Sequence, residues 1–297
     1  MYKNETGDEM KKTLTLLMLI LICLSGCSFN PPELCSIEAG IADEEIIDFT
    51  DMQIYIPRLE NGSSVIISLP TDELVLINCG SSEDFPVVYE KLRAMDIGII
   101  DYVILTSTEL YSRGGIEKII QNFEVCNVYI SDDAEDTDVF KSIKILCDKN
   151  DVMFSKVCAG SRIYDFGKAC IDVIDSEKYF FGNQVNSISL YVLLGNVAIF
   201  FEGECDITNQ ARMAAEMKDY LKADIYVISS YVASEDKSQY LIEAVNAKYA
   251  VIPVHSKYYP SLTVTDKLSN SEILRTDVNG DITFSIDNDT ITYKTEN

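Results

Sequence analysis

The feature that most constrains the fold is the order of the short apolar segments after the first fifty residues. Three segments, 52–57, 64–69 and 73–77, have the length and composition of strands and are separated by turn residues. The segment 85–95 then carries apolar residues at helical spacing. The segment 99–105 is almost wholly apolar, as in a strand whose two faces are both covered. A strand meander followed by a helix and a buried strand favours an α/β domain.

The remainder of the chain continues this alternation. Helices are predicted over 116–123, 138–150, 207–221 and 238–245, and strands over 125–131, 152–157, 169–174, 187–194, 197–202, 224–229 and 249–254. The chain is predicted to close with a hairpin, in which strands 273–277 and 281–286 are joined by a turn at Asn279-Gly280. Because no internal repeat or interdomain linker is apparent, we expect one α/β domain over 51–297. Two mixed sheets packed face to face, with helices outside, suit this pattern and give an αββα sandwich.

The first 26 residues have the layout of an export signal. Lys11 and Lys12 precede an apolar run, 13–24, that is too short to span a bilayer comfortably, and Leu24-Ser25-Gly26-Cys27 follows it. This ending resembles the bacterial lipobox, which implies that Cys27 carries a lipid, that residues 1–26 are removed and that Met10 is the true start. Residues 27–50 are then an acidic tether. An uncleaved membrane anchor and a plain secretory signal are the alternatives, and all three export the domain.

The charge and cysteine content exclude several classes of partner and framework. With 48 acidic and 24 basic residues, the net charge of −24 disfavours nucleic acid as a partner, because such binding needs lysine and arginine to displace counterions. Seven of the nine cysteines remain once Cys23 leaves with the signal and Cys27 is lipidated. Their odd number and irregular spacing predict no disulfide framework or zinc ribbon, although one isolated disulfide stays open.

Short segments spread over 52–287 follow a known order. Leu105-Thr106 and Gly114-Gly115 match the two ends of the pattern LTHxHxDHxGG, and Arg275-Thr276-Asp277-Val278-Asn279-Gly280 matches RTDxNG in full. The other corresponding segments are 58–64 for DVGQGDS, 76–80 for LIDTG, 186–190 for NxxSLVL, 202–204 for TGD, 223–231 for ADVLKVxHHGS and 259–260 for HP. Together they resemble the metallo-β-lactamase-like domain of the ComEC competence DNA-uptake channel and its free-standing relatives. The resemblance implies the αββα fold.

The resemblance also implies a site that this chain does not reproduce. Family members hold two zinc or manganese ions with four or five histidines and two aspartates. This chain has one histidine, His255, which aligns with none of those positions. At the degenerate site positions stand Ser107, Glu109, Tyr111, Ser112, Glu204, Ser230 and Tyr259. Serine hydroxyls are poor ligands at neutral pH, and the two tyrosines are expected to fill the cavity. We therefore predict neither a bound metal nor another cofactor.

Three functional hypotheses follow. The first is a lipoprotein at the extracytoplasmic face of the cell membrane, whose non-catalytic domain binds a protein, a cell-wall component or a small molecule. The second is a phosphodiesterase-like hydrolase rebuilt around Glu109 and Glu204, which could act as an acid/base pair, hold Ca²⁺ or Mg²⁺ weakly, or simply be solvated. The third is a purely structural envelope component. In the first hypothesis the chain contacts the membrane through the lipid on Cys27.

Overall fold

The computed structural model describes residues 52–180, 182–254 and 258–297, with the backbone alone of Asp219 and Ser230. The predicted signal segment, the lipidation site Cys27, the acidic tether and the lone histidine His255 lie outside the described residues. Within those residues, no helix is both long and apolar enough to cross a membrane.

One sheet has eight strands within the described residues. They are β1 (Met52–Ile56), β2 (Val65–Ser68), β3 (Leu74–Ile77), β4 (Ile99–Leu105), β5 (Glu124–Ser131), β6 (Met153–Val157), β14 (Ile282–Asp287) and β15 (Thr290–Thr295). Their order is β15-β14-β1-β2-β3-β4-β5-β6. The strands β1 to β3 form an antiparallel meander, β3 to β6 run parallel, and β14 returns antiparallel to β1. The sheet is therefore mixed.

The second sheet has seven strands in the described part of the chain. They are β7 (Arg162–Phe166), β8 (Ala169–Phe180), β9 (Asn183–Leu194), β10 (Val197–Glu202), β11 (Ile225–Ile228), β12 (Tyr249–Ile252) and β13 (Glu272–Arg275). Their order is β13-β12-β11-β10-β9-β8-β7. The strands β10 to β13 run parallel, and β7 to β10 are antiparallel neighbours.

The helices lie between these strands in the sequence. They are α1 (Phe85–Ala94), α2 (Leu110–Arg113), α3 (Ile116–Asn122), α4 (Asp138–Lys149), α5 (Ile207–Met217), α6 (Ser230–Ser234), α7 (Gln239–Val245), α8 (Leu262–Lys267) and α9 (Thr276–Asn279). Two short 3₁₀ turns, Asp132–Ala134 and Lys218–Tyr220, follow β5 and α5. The local sequence explains several of the helix starts. For example, Thr137 and Asp206 accept backbone hydrogen bonds at the N-termini of α4 and α5.

The alternation of side chains along the strands produces a layered core. On β10, Ile199 and Phe201 belong to the apolar core shared by the two sheets, whereas Phe200 belongs to the core that contains α5, α7 and α8. On the other side, Val88 of α1 and Ile119 of α3 share a core with the eight-stranded sheet. Burying each such side chain contributes about 1.5–3 kcal/mol. Both faces of both sheets are therefore covered, and the predicted αββα arrangement is confirmed.

The predicted C-terminal hairpin is wrong. Strand β13 belongs to the seven-stranded sheet and β14 to the eight-stranded sheet, so the segment between them crosses from one sheet to the other as the short helix α9. Asn279 Oδ1 accepts from the Arg275 backbone N–H (2.8 Å), and Thr276 Oγ1 accepts from the Val254 N–H (2.9 Å). These side-chain bonds favour a helical turn. Gly280 then ends it with φ +70°, where a Cβ would lie 2.7 Å from Glu296.

Other differences concern elements that the sequence prediction missed or cut short. Strand β7 was not predicted, because only two of its five residues are buried and its apolar pattern is weak. Strand β15 has the alternating burial of an edge strand. The helix predicted over 207–221 ends at Met217, and β8 continues six residues beyond its predicted end at Ile174. None of the six described cysteines forms a disulfide, and four of them are buried.

Candidate functional site

The candidate site lies where four strands end. The strands β3 and β4 run parallel, as do β10 and β11, so the carboxyl ends of each pair lie at one edge of its sheet. The residues that follow these strands line a common cavity of about 40 Å³ between the two sheets. Its polar lining consists of Ser63, Asn78, Thr106, Ser112, Glu202, Glu204 and Ser229. This is the region in which the sequence predicted a degenerate site.

The loops after β3 and β4 are held together by hydrogen bonds of a side-chain amide group. Asn78 adopts a left-handed conformation (φ 61°), and its amide nitrogen donates to Thr106 Oγ1 (2.8 Å). The Thr106 backbone N–H donates in return to Asn78 Oδ1 (2.9 Å). Gly115 packs so tightly here that a Cβ on it would lie 2.4 Å from the carbonyl oxygen of Cys79. The Gly-Gly motif is thus required by packing, whatever the site binds.

Ser107, Glu109 and Ser112 lie on the loop that contains α2. Ser107 is fully buried, and its Oγ accepts from the Glu109 backbone N–H (3.1 Å). Ser112 is buried and borders the cavity, while its carbonyl oxygen accepts from the Cys79 N–H (2.7 Å). Both serines therefore take part in the packing of this loop.

The central contact of the site is a hydrogen bond from the Tyr111 hydroxyl to Glu204 Oε1. Glu204 is only 3% exposed, and its other oxygen, Oε2, has no hydrogen-bond partner among the described residues. Burial raises the pKa of Glu204 to about 7, against the lowering effect of the Tyr111 and Ser107 hydroxyls, and the charge of Glu109 raises it further. Burial and the neighbouring Glu204 likewise raise the pKa of Tyr111 well above its usual value.

Aromatic rings lie beside this pair. The Tyr231 ring centroid is 6.3 Å from that of Tyr111, 5.0 Å from that of Phe180 and 4.6 Å from that of Tyr258. The first two contacts are edge-on, which is a favourable geometry for aromatic pairs. We call these four residues the aromatic cluster. It joins the α2 loop, the end of β8, helix α6 and the segment before α8.

A second buried acid, Glu202, lies two residues before Glu204 at the end of β10. Its Oε2 accepts hydrogen bonds from the Lys237 ammonium and from the Tyr226 hydroxyl (2.7 Å). The side chains of Glu202 and Lys237 are both fully buried. Lys237 Nζ also lies 5.3 Å from the Tyr226 ring centroid, within range of a cation–π interaction. Glu202 thus has a complete set of polar partners.

Comparison with known proteins supports the fold and goes no further. No protein-family model and no curated protein sequence matches the chain. Among solved structures, the metallo-beta-lactamase fold protein YhfI from Bacillus subtilis matches with a TM-score of 0.52 and 11% identity, over 75% of this chain and 96% of YhfI. The domain has the metallo-β-lactamase fold.

Two further solved structures agree with this assignment. CmlA, a diiron beta-hydroxylase from Streptomyces venezuelae, matches with a TM-score of 0.54 and 9% identity, over 80% of this chain. The chain spans about half the length of CmlA, since the match covers 54% of it. A diphosphatase from the PhnP family matches with a TM-score of 0.50 and 14% identity, over 79% of this chain and 98% of that one. At such identities the likeness concerns the fold alone.

The residues present do not fit the dinuclear metal centre that the metallo-β-lactamase fold implies. Among the described residues, no group of three histidine, cysteine, aspartate or glutamate side chains is placed to hold a metal ion. One oxygen of Glu204 already accepts a hydrogen bond from Tyr111. Most of the other polar groups that line the cavity and have no further hydrogen-bond partner are hydroxyls. Metal ions of this class prefer imidazole nitrogens and carboxylates.

The structure brings together most of the site residues named from the sequence. Four of them interact through hydrogen bonds or charge, namely Ser107, Glu109, Tyr111 and Glu204. Ser112 borders the adjacent cavity. Ser230 begins α6, and nothing is described of its side chain. Tyr259 does not fill the cavity, because it is 57% exposed. The ring beside Tyr111 is that of Tyr231, which in turn contacts Tyr258, the neighbour of Tyr259 in sequence.

Sequence reasoning missed the buried group formed by Glu202, Tyr226 and Lys237. Lys237 lies in the polar stretch Ser234-Glu235-Asp236-Lys237-Ser238, which is typical of a solvated loop. Glu202 gave a weak signal, since an acid at the end of an apolar strand must find a partner or reach water. Nothing local to the sequence shows that the partner lies 35 residues further along the chain.

Proposed function

We propose that this chain is a lipid-anchored, extracytoplasmic binding or scaffolding protein whose metallo-β-lactamase-fold domain, of the ComEC type, does not catalyse hydrolysis. The observation that carries the proposal is the hydrogen bond between Tyr111 and Glu204. By the resemblance, both residues stand at aspartate ligand positions of the family. Here one of them is a phenol and the other is a carboxyl whose Oε1 is occupied by that phenol.

The size of the cavity supports the same conclusion. Paired catalytic metal ions lie about 3.5–4 Å apart and require room for a bridging oxygen and for substrate. The cavity beside Glu204 measures about 40 Å³. One water molecule needs roughly 10–15 Å³ of such space, so the cavity has room for only a few small groups.

Metal binding by the purified full-length chain tests the proposal. After dialysis against Zn²⁺ or Mn²⁺ and removal of free metal, we expect less than one tightly bound equivalent. The Glu204→Gln variant serves as the matched control, and we expect it to bind as little metal as the wild type. Two tightly bound equivalents in the wild type, lost in Glu204→Gln, would overturn the proposal.

One observation favours the second candidate, a hydrolase built on carboxyl groups. Glu204 lies in a cleft and has a pKa of about 7, which suits a general acid or base near neutral pH. Under this candidate, phosphodiester or ester turnover should be abolished by Glu109→Gln and by Glu204→Gln, and unchanged by Glu243→Gln on the exposed face of α7. We expect no turnover from the wild type. Turnover that depends on both acids would replace the first proposal with the second.

A further inference from the structure

The two buried acids near the end of β10 each accept from a tyrosine hydroxyl, and Glu204 also interacts with the Ser107 hydroxyl, but only Glu202 is paired with an ammonium group. Glu202 accepts a hydrogen bond from a tyrosine hydroxyl, that of Tyr226, and a second from the ammonium group of Lys237. Glu204 accepts a hydrogen bond from a tyrosine hydroxyl, that of Tyr111. Its Oε2 is buried and has no partner among the described residues. The Glu204 site therefore has the same kind of carboxylate and phenol as the Glu202 site, without the ammonium.

The charges around Glu204 favour a cation from outside. A buried carboxylate is costly unless a positive charge or several hydrogen-bond donors compensate it. The charged side chain that acts on Glu204 is another acid, Glu109. The hydroxyl of Tyr231 lies in the field of Glu204, Glu235 and Glu109. The whole chain carries a net charge of −24, which attracts cations to such a site.

The space beside Glu204 has room for an ammonium group. Glu204 borders the cavity of about 40 Å³, and the other polar groups of its lining include the hydroxyls of Ser63 and Ser112. An ammonium group is close in size to a water molecule, which needs roughly 10–15 Å³ of such space. When Glu204 is ionised, its unpaired Oε2 is an acceptor, so it suits a cation that carries N–H donors. The half-buried ring of Tyr231 provides an apolar surface near the Tyr111 side of the carboxyl.

We propose that the cavity beside Glu204 binds a primary alkylammonium group, which donates to Glu204 Oε2 as Lys237 donates to Glu202. The aromatic cluster does not line the cavity itself but lies beyond Glu204 on the Tyr111 side, so the alkyl stem extends from the cavity toward the Tyr231 ring. This inference rests on the proposed function, because a site that held paired metal ions would leave the ammonium no room. It names the ligand class that the proposed binding protein recognises.

Calorimetric titration of the full-length protein tests the inference, with n-butylammonium chloride as the probe. Tetramethylammonium chloride carries the charge without N–H donors, 1-butanol carries the stem without the charge, and KCl supplies a small inorganic cation. We expect saturable one-to-one binding of n-butylammonium and none of the other three. A charge-assisted hydrogen bond predicts a loss of affinity of about tenfold or more in Glu204→Gln. Glu243→Gln, an exposed change of the same kind, should bind as the wild type does.

A second variant and a second ligand make the result specific. Tyr231→Leu keeps the carboxyl and removes a ring, and we expect it to weaken binding of n-butylammonium even if Glu204→Gln proves unstable. A blocked lysine, Nα-acetyl-lysine N-methylamide, distinguishes the source of the amine. If the blocked lysine binds more tightly than n-butylammonium, the natural ligand is a lysyl side chain of a partner protein. If it binds more weakly, the natural ligand is a free amine.

The failure of this inference can be separated from the failure of the proposed function. Absence of saturable n-butylammonium binding, equal affinity in Glu204→Gln, or equal binding of K⁺ would overturn the ammonium assignment alone. Two tightly bound metal equivalents in the same preparation would overturn the proposed function and the ammonium assignment together.

Discussion

The Tyr111 hydroxyl donates to Glu204 Oε1 and thereby connects a loop of one sheet to a loop of the other. Tyr111 lies on α2, after β4 of the eight-stranded sheet, and Glu204 follows β10 of the seven-stranded sheet. In the family that the sequence resembles, metal ions bridge the corresponding loops. In this chain a side-chain hydrogen bond joins the two loops at that place, so its removal should affect stability.

Tyr111→Phe removes the hydroxyl and keeps the ring. We expect a loss of about 1.5–3 kcal/mol in the free energy of unfolding, because a hydrogen bond to a carboxylate is lost and Glu204 stays buried. The pKa of Glu204 should also rise, since the Tyr111 hydroxyl lowers it. Urea unfolding followed by circular dichroism measures the first effect, and carboxyl NMR of labelled protein measures the second. Tyr240→Phe, at a position that is 70% exposed, is the control and should change stability by less than about 0.5 kcal/mol.

Glu204→Gln should change how stability depends on pH. The ordinary pKa of Glu204 is 4.5, and its pKa in the folded protein is about 7. The folded state therefore binds the proton more tightly, so the contribution of Glu204 is fully present below pH 4.5 and is lost as pH rises through 7. Between these two pH values the contribution of Glu204 to the free energy of unfolding falls by about 3 kcal/mol.

Unfolding measured between about pH 5 and 8 checks this sign. The stability of the wild type relative to Glu204→Gln should fall as pH rises through that window and stay level above it. Glu243→Gln removes an exposed carboxyl from the same protein and controls for the change in net charge. A wild type that gains stability over Glu204→Gln with rising pH would contradict the prediction.

Lipidation is a prediction from the sequence that concerns residues outside the described structure. Cys27→Ser should abolish incorporation of a fatty-acid label and release the protein from membranes, because stable anchoring depends on acyl chains. Cys35→Ser, eight residues further along, is the matched control and should retain label and membrane association. Equal labelling of wild type and Cys27→Ser would contradict the lipobox assignment.

The layered fold could be predicted because strand burial leaves a direct record in the sequence. Strand β4 was predicted with its observed limits, since a run that is apolar on both sides of a sheet has no competing interpretation. The crossing at α9 could not be read in the same way. Asn279-Gly280 suits a hairpin turn, and the bonds of Thr276 with Val254 and of Asn279 with Arg275, which favour a helical turn instead, are not evident from the sequence.

The site could be predicted in part for a similar reason. The positions of Tyr111 and Glu204 follow from the order of motifs, and the fold brings them together. The aromatic cluster beside them does not follow, because Tyr258 and Tyr259 are neighbours in sequence and only local geometry decides that Tyr258 contacts Tyr231 while Tyr259 is exposed. The partner of Glu202 was also inaccessible, since a lysine in an acidic loop has no periodic signal that marks it as buried.

Lys237→Met tests whether the buried ion pair is a structural requirement of the site. Removing the ammonium leaves Glu202 with a buried, uncompensated charge, which should cost about 3–5 kcal/mol. The double variant Lys237→Met with Glu202→Gln should recover part of this loss, because the amide is neutral and can still accept from Tyr226.

Lys144→Met, in an exposed pair with Asp148, is the control and should cost only about 0.3–0.5 kcal/mol. Thermal and urea unfolding of the wild type, Lys237→Met, Glu202→Gln and their double variant measures the coupling energy. A Lys237→Met variant as stable as the Lys144→Met variant would mean that Glu202 obtains its compensation elsewhere. The contrast drawn between Glu202 and Glu204 would then lose its basis, because an ammonium would no longer distinguish the two acids.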